Sequence, residues 1–299
     1  MIKTISNKAL FTVIILILLT VSSFAQKKSL KTEIEEIARS SKGTVGVGLM
    51  DLNTKKSFVL NKNVKFPMQS VFKFPLAMAI LAEIDKGKFS LDQKILVTKK
   101  DLLPKTWSPM REKYPAGNVE LPLAEILAYT VSQSDNNGCD ILFRLLGGAA
   151  NVHKYVQNLG VKEMSIAATE EEMAQAWDVQ FTNWSKLEAM LKLLEIFNRG
   201  EKLSKSSSDF LRKIMTETTT GPNRIKGLLP PGTIVAHKTG TSGTNDKKVT
   251  GAINDAGIIM LPNGKKIAIV VFVSNSTDSA EISEKVIAQI SKAAYDYYR

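Results

Sequence analysis

The 299-residue chain predicts an α+β fold: one antiparallel sheet built from both chain ends with flanking helices, and a mostly helical lobe inserted between them. Three observations predict it. Strand-like runs cluster near both termini, helical periods fill the middle, and no internal repeat or low-complexity linker separates the parts. A hydrophobic content of 44% supplies a sizeable core and excludes a disordered chain.

The elements follow in order. The first 25 residues read as an export signal: Lys3 and Lys8 carry charge, Leu10 to Val21 is almost wholly apolar, and Ser23-Phe24-Ala25 has the small-x-small form of a cleavage site. The apolar run is shorter than the ~20 residues a bilayer core requires. No cysteine beside the cleavage site could carry a lipid, so the expectation is a mature periplasmic protein beginning near Gln26, without stable membrane association.

Leu30, Ile34 and Ile37 then share a helical face, and Val45, Val47 and Leu49 alternate as in a half-buried strand. Val71 to Ile84 is apolar nearly all round, as a buried central helix should be, and Leu123, Ile126, Leu127 and Val131 form another helical face. A helix from about Asn137 to Leu146 is ended by Gly147-Gly148. Ile234 to Thr239 and the stretch around Ile258 to Leu261 read as strands, and Pro262-Asn263-Gly264 turns the chain into a third, Ile267 to Val273. A final helix carries Ile282, Val286, Ile290, Ala293 and Tyr297. The expected division is an α/β domain of residues 26–66 and 213–299, an all-helical domain of 67–212, and an active site between them.

The net charge is +11, but Lys and Arg are interleaved with Glu and Asp and form no basic stripe, which argues against a nucleic-acid partner. Cys139 is the only cysteine, so an internal disulfide is impossible and the residue reads as a small buried hydrophobe. His153 and His237 are isolated, so neither a metal nor another cofactor is expected, and His237 reads as a strand residue supporting Lys238. A monomer is expected.

Three motifs carry chemistry. Ser70-Val71-Phe72-Lys73 opens the most apolar helix. Residues three apart share a helix face, so the Lys73 amine can lie beside the Ser70 hydroxyl and, desolvated, take its proton. Ser134-Asp135-Asn136 lies between two helical patterns. As a bland turn it would offer Asp135 or Asn136 as a cap; as a site, Ser134 relays a proton and Asn136 binds a substrate amide. Lys238-Thr239-Gly240-Thr241 closes a β-branched strand, where Lys238 attracts an anion, Thr239 and Thr241 donate hydrogen bonds to its carboxylate, and Gly240 lets ligand approach the backbone.

In this order and at these spacings the three motifs resemble the active-site set shared by class A β-lactamases and penicillin-binding proteins, over essentially the whole mature chain. A β-lactamase must also activate a water that frees the acylated serine. Class A members use a glutamate followed three positions later by an apolar residue, a pattern met by Glu170 and Met173, with Glu171 and Gln175 as a rival register. Ala174 stands where asparagine is common, so the water would lose one of its usual holders.

Other stretches are similar to the PER- and VEB-type extended-spectrum branch: Phe66-Pro67-Met68-Gln69, Thr106-Trp107-Ser108-Pro109-Met110, Gly221-Pro222-Asn223-Arg224 and Ala236-His237. That resemblance implies a cleft flanked by Trp107, substrate contacts at Ser242, and Arg224 helping to hold a substrate carboxylate. The backbone N–H groups of Ser70 and Thr241 would form an oxyanion hole. Ala168 and Asn183 replace the usual arginine-aspartate clamp, so the glutamate loop should be held differently and leave room for bulky cephalosporin side chains. The implied reaction opens penicillins and cephalosporins through a Ser70 acyl-enzyme, with Lys73 or Glu170 as the first base and no cofactor, and confers β-lactam resistance. A D,D-peptidase trapped by penicillin, or a non-catalytic β-lactam sensor, shares the same motifs.

Overall fold

The strand-like runs at the two ends of the chain do pair. In the computed structural model, which describes residues 28–299, β1 (Thr44–Asp51) lies beside β10 (Lys266–Ser276) in an antiparallel register running from Thr44 opposite Ser274 to Asp51 opposite Ile267. The export signal read from residues 1–25 lies outside the described residues. With β2 (Ser57–Leu60), β8 (Val235–Thr241) and β9 (Thr250–Met260), these strands form a five-stranded antiparallel sheet in the order β2-β1-β10-β9-β8. The inserted region, expected to be all-helical, also carries two small sheets, β3 (Phe66–Pro67) with β7 (Trp184–Ser185) and β6 (Met164–Ser165), and β4 (Lys94–Val97) with β5 (Val119–Pro122).

One face of the sheet packs on the terminal helices α1 (Leu30–Arg39) and α10 (Ala280–Tyr298), where Ile34, Val47, Ile253, Val271, Val286 and Ile290 form a core. The other face, with Ala256, Val270 and Phe272, joins the larger core of the inserted helices. The alternation at 45–49 predicts a half-buried strand, yet β1 is buried on both faces. Its second face is glycine: a Cβ on Gly46 would meet the Phe66 ring at 2.4 Å, and one on Gly48 would meet Leu191 at 3.0 Å. Helix α8 (Leu187–Arg199), which carries Leu187 and Leu191, can therefore sit directly on the strand.

Strand β9 is longer than its apolar signal at 258–261 suggests, because Asn254 and Asp255 interrupt the apolar pattern while remaining in the ladder. Both are fully buried and hydrogen-bonded, so strand pairing and local partners override their low strand propensity.

At the centre of the inserted region, α2 (Lys73–Asp85) has every residue from Lys73 to Ala82 buried. Aromatic contacts link its neighbourhood to the other helices, Phe72 to Phe143 and Phe74 to Phe197 with ring centroids 5.7 and 5.4 Å apart. The short α3 (Pro109–Lys113) and α7 (Glu170–Met173) pack on α5 (Asn136–Leu146), which with α4 (Leu123–Ser132), α6 (Ala149–Asn158), α8 and α9 (Lys205–Thr216) surrounds α2. Helix α5 ends where Gly147 takes a left-handed conformation (φ 80°), which glycine adopts without a Cβ clash. Among the described residues no helix is long and apolar enough to cross a membrane.

Candidate active site

Ser70 does not open the α-helix as the sequence suggests; it lies in a 3-10 turn, Gln69–Phe72, and Lys73 is the first residue of α2. The difference has a local cause. Gln69 takes a positive φ of 49°, and the backbone before it is held from outside, where Asn254 Nδ2 donates to the carbonyls of Pro67 (2.7 Å) and Met68 (3.2 Å) and the Met68 N–H donates to the Asn183 carbonyl. The turn lifts Ser70 to the helix mouth while Lys73 stays fully buried.

Lys73 Nζ donates to the Ser134 carbonyl (2.8 Å) and to Asn136 Oδ1 (2.5 Å), and it lies 2.9 Å from Glu170 Oε1. The same Glu170 oxygen accepts from Ser70 Oγ at 3.2 Å, so the carboxylate bridges the serine and the lysine. Ser134 is brought in by a left-handed backbone (φ 60°) immediately before Asp135, which caps α5 by accepting from the Gly138 N–H. Asp135 also accepts from Ser108 Oγ and the Met110 N–H, so its task is to lock α3 onto α5. Asn136 is tied at both ends of its amide, with Nδ2 donating to Thr106 Oγ1 at 2.7 Å.

Lys238 enters from the edge strand β8, fully buried, and donates to Ser134 Oγ and to the Thr239 carbonyl, both at 2.9 Å. Burial, with the charge of Lys73 adding to it, holds this amine well below the usual lysine range, against the opposing pull of Asp255 and Glu170. Gly240 has a packing role that its motif does not reveal. A Cβ there would lie 2.4 Å from the Met68 carbonyl oxygen and 3.2 Å from the Ser70 nitrogen, so the missing side chain lets β8 close on the turn that carries the serine.

Arg224 is buried beneath the end of β8. Its guanidinium donates to the Gly240 and Asn254 carbonyls (3.0 Å each), to Glu284 (3.0 Å) and to Thr241 Oγ1 (2.7 Å). It therefore reaches the cleft through the Thr241 hydroxyl. An oxygen that accepts from arginine turns its own proton elsewhere, here toward the cleft that Thr241 lines. Thr239 Oγ1 is paired with Thr220 Oγ1 at 2.5 Å on the same wall. Ser242 is turned into its own loop, accepting from the Ala252 N–H and donating to the Gly243 carbonyl. Trp107 is 57% exposed at the rim, its indole N–H fixed to the Gln133 carbonyl.

Of the two glutamate registers the geometry selects Glu170, since Glu171 is exposed to solvent. Thr169 caps α7 in a reciprocal box with Glu172, which accounts for the third glutamate. Two buried side chains hold the loop. Asn183 Oδ1 accepts from the N–H groups of Ala167 and Ala168, while its Nδ2 donates to the Ala168 carbonyl and meets Met173 Sδ. Asp140, on α5, accepts from the N–H groups of Glu170 (2.8 Å) and Glu171 (3.0 Å). Burial first, and the charge of Glu170 second, push the Asp140 carboxyl up to about 7. Sequence reasoning missed Asp140, although its place four residues after Asn136, on the same face of α5, was a usable signal. It also missed Asn254, whose hold on the Ser70 turn is a long-range contact.

A cleft of about 290 Å³ lies over Ser70, lined by Trp107, Ser134, Asn136, Glu170, Thr239 and Thr241 among others. It continues into a space of about 540 Å³ between the Met173–Trp177 stretch and the Thr241–Thr244 loop. Among the described residues no group of three or more His, Cys, Asp or Glu side chains could hold a metal ion.

A serine, two buried lysines and one carboxylate converging at the junction of sheet and helices define a serine-dependent acyl-transfer site. The chain belongs to the Beta-lactamase enzyme family, which matches residues 28–298, and its fold is that of the class A enzymes. It is 48% identical to the β-lactamase VEB-1 of Pseudomonas aeruginosa over 98% of both chains. It is 43% identical to the extended-spectrum β-lactamase PER-1 of the same organism, over 97% of this chain and 95% of the other. A solved β-lactamase structure from Chitinophaga pinensis superposes with a TM-score of 0.89 at 56% identity, covering 91% of this chain and all of the other.

Proposed function

We propose that the protein is a periplasmic, monomeric serine β-lactamase that hydrolyses the β-lactam amide of penicillins and cephalosporins, extended-spectrum cephalosporins included, and so confers β-lactam resistance. The observation that carries this reading is Glu170 Oε1, 3.2 Å from Ser70 Oγ and 2.9 Å from Lys73 Nζ. A carboxylate at the serine supplies the base that activates water to release the acyl group, the step that fails in a peptidase trapped by penicillin.

The substrate lies in the cleft between the two lobes, 26–66 with 213–299 and 67–212. Its carboxylate meets Thr239, Thr241 and Lys238, with Arg224 behind Thr241, while the ring carbonyl faces the Ser70 and Thr241 N–H groups. The close packing of Gly240 on Met68 and Ser70 supports that pairing by bringing the end of β8 beside the nucleophile. Ser70 Oγ bonds to the ring carbonyl carbon as its proton passes to Glu170. The carbon–nitrogen bond breaks, and the ring nitrogen takes a proton from Ser134 Oγ, which Lys238 Nζ touches at 2.9 Å. Glu170 passes its proton through Lys73, 2.9 Å away, to replace the one Ser134 gave up. The regenerated carboxylate then takes a proton from water, the water oxygen bonds to the ester carbonyl carbon, and the bond to Ser70 Oγ breaks as that oxygen takes the proton back from Glu170. The 540 Å³ space beside Met173 and Ser242 receives the acyl side chain, and its size supports the extended-spectrum reading.

Turnover of a chromogenic cephalosporin, followed with mass spectrometry, tests this reading. Wild type should turn over with no lasting adduct, Ser70→Ala should form none, and Glu170→Gln should accumulate a stoichiometric acyl-enzyme. A wild-type protein stably trapped by penicillin would overturn it in favour of a peptidase.

A further inference from the structure

The buried face of β8 opposite Lys238 carries an arrangement that the reaction as described does not use. His237 is fully buried, and its Nδ1 lies 2.9 and 3.0 Å from the two oxygens of Asp255, which is fully buried on β9. A carboxylate only accepts, so Nδ1 carries the proton and donates it. The other ring nitrogen, Nε2, is enclosed without a partner. An imidazole used as core filler would be a poor choice here, because an apolar side chain would leave no orphaned nitrogen. The ring is therefore retained for what Nδ1 does to Asp255.

Asp255 in turn holds the Arg224 turn. Its Oδ2 accepts from the Ile225 N–H at 3.2 Å, one peptide beyond Arg224. The turn is closed by the Arg224 N–H on the Gly221 carbonyl (3.0 Å) and by the Gly227 N–H on the Arg224 carbonyl (2.9 Å). It is also pressed on the strand: a Cβ on Gly221, at φ 59°, would meet Thr239 Cγ2 at 2.8 Å. A small rotation of the turn would swing the guanidinium off Thr241 Oγ1, which it now meets at 2.7 Å. The His237 carbonyl is itself pinned by Thr218 Oγ1 (2.8 Å), so the ring enters from a fixed strand.

We propose that His237 and Asp255 form a positioning pair for substrate-carboxylate recognition: His237 fixes the Asp255 carboxylate, Asp255 fixes the Arg224 turn, and Arg224 turns the Thr241 hydroxyl proton into the cleft. Neither residue touches substrate. The inference rests on the reading of Arg224 and Thr241 as the carboxylate wall, and its test separates the two.

The experiment compares a chromogenic cephalosporin with its methyl ester, which lacks the anion, on His237→Leu, His237→Asn, Asp255→Asn and Arg224→Ala. His237→Leu should raise KM for the acid about tenfold, with kcat changed less than twofold and kcat/KM for the ester unchanged. His237→Asn, whose amide N–H can replace Nδ1, should recover most of the loss. Asp255→Asn should repeat the selective defect, and it stands in for the leucine variant if the latter fails to fold by circular dichroism. In the double variant, His237→Leu should add less than twofold to the defect of Arg224→Ala, because both act on one group. If Arg224→Ala discriminates acid from ester and the His237 and Asp255 variants do not, the positioning pair is refuted. If Arg224→Ala itself impairs both substrates equally, the carboxylate wall is wrong and the pair falls with it. Equal loss on both substrates in the His237 variants alone would make the pair purely structural, which also overturns the proposal.

Discussion

Replacing Asp140 with Asn should change stability in a way that depends on pH. The carboxyl is buried, accepts two backbone N–H groups from the glutamate loop, and ionises at about 7 in the fold against 3.8 in the open chain. Between those values the folded protein binds the proton and the unfolded chain does not. The contribution of this group is therefore complete below about pH 4 and is lost as pH rises toward 7. At about 1.4 kcal/mol per pH unit the full loss is about 4 kcal/mol, of which about 3 kcal/mol falls between pH 5 and pH 8. An asparagine has no such term. Its amide offers one acceptor where the carboxyl offers two, so one loop N–H is left facing an NH2 group at a cost of about 1–3 kcal/mol at every pH. The stability of Asp140→Asn relative to wild type should thus rise by about 3 kcal/mol from pH 5 to pH 8, and at pH 8 the variant should equal or exceed wild type. Deacylation should be slower throughout, because the loop carrying Glu170 has lost half of that clamp. Urea unfolding of both proteins at pH 5, 6, 7 and 8 measures the difference. A gap constant within about 0.5 kcal/mol over that range would refute the burial argument, which requires it to move by several times the uncertainty of such a measurement.

Three further perturbations test the contacts around the serine. Gly240→Ala places a methyl group 2.4 Å from the Met68 carbonyl oxygen, a backbone atom that cannot rotate away. It should cost about 1–3 kcal/mol in thermal unfolding and lower kcat/KM on the order of 100-fold by displacing Ser70. Asn183→Leu keeps the volume but strips partners from the N–H groups of Ala167 and Ala168. Burst kinetics should show acylation nearly intact and deacylation rate-limiting, with a loss of about 3 kcal/mol in denaturant unfolding. Cys139 is fully buried and its thiol is pushed well up by burial, so iodoacetamide should label it no faster than the protein unfolds, and rapid labelling of native protein would contradict the packing of α5.

The architecture was legible because both levels of pattern agreed: period two at the chain ends, period 3.6 between them, and turns at Gly147 and at Pro262-Asn263-Gly264. The site was legible wherever one motif carried both residue type and spacing, as for Ser70 with Lys73, or Ser134 with Asn136. What escaped was long-range. Asn254 holds a turn 186 residues away along the chain, and Asp140 clamps a loop 30 residues on. Neither stands in a motif, since each is a lone polar residue whose meaning depends on a tertiary neighbour. The packing role of Gly240 escaped for the same reason: sequence shows that a side chain is missing but not which surface fills the space. Conversely, the departure at Asn183 was visible, and its consequence, a loop held by an amide and by the Asp140 carboxyl in place of an ion pair, was anticipated only in kind.

Strand β8 explains why so few residues can do so much here. Successive side chains on a strand face opposite ways. Lys238 and Gly240 point to the Ser134 and Ser70 side, whereas His237, Thr239 and Thr241 point to the Asp255 and Arg224 side. A slip of one residue would exchange the proton-relay face for the anion-binding face and destroy both. The register is therefore as much a part of the chemistry as any side chain, and two glycines guard it from either surface. A Cβ on Gly257 would strike the Ala236 carbonyl oxygen at 2.4 Å and His237 Cβ at 2.6 Å, while one on Gly240 would strike the Met68 carbonyl oxygen at 2.4 Å. Only the observed pairing puts a residue without a side chain at both crowded points, and that pairing also places the two hydroxyl-bearing threonines and the one lysine within reach of a single substrate.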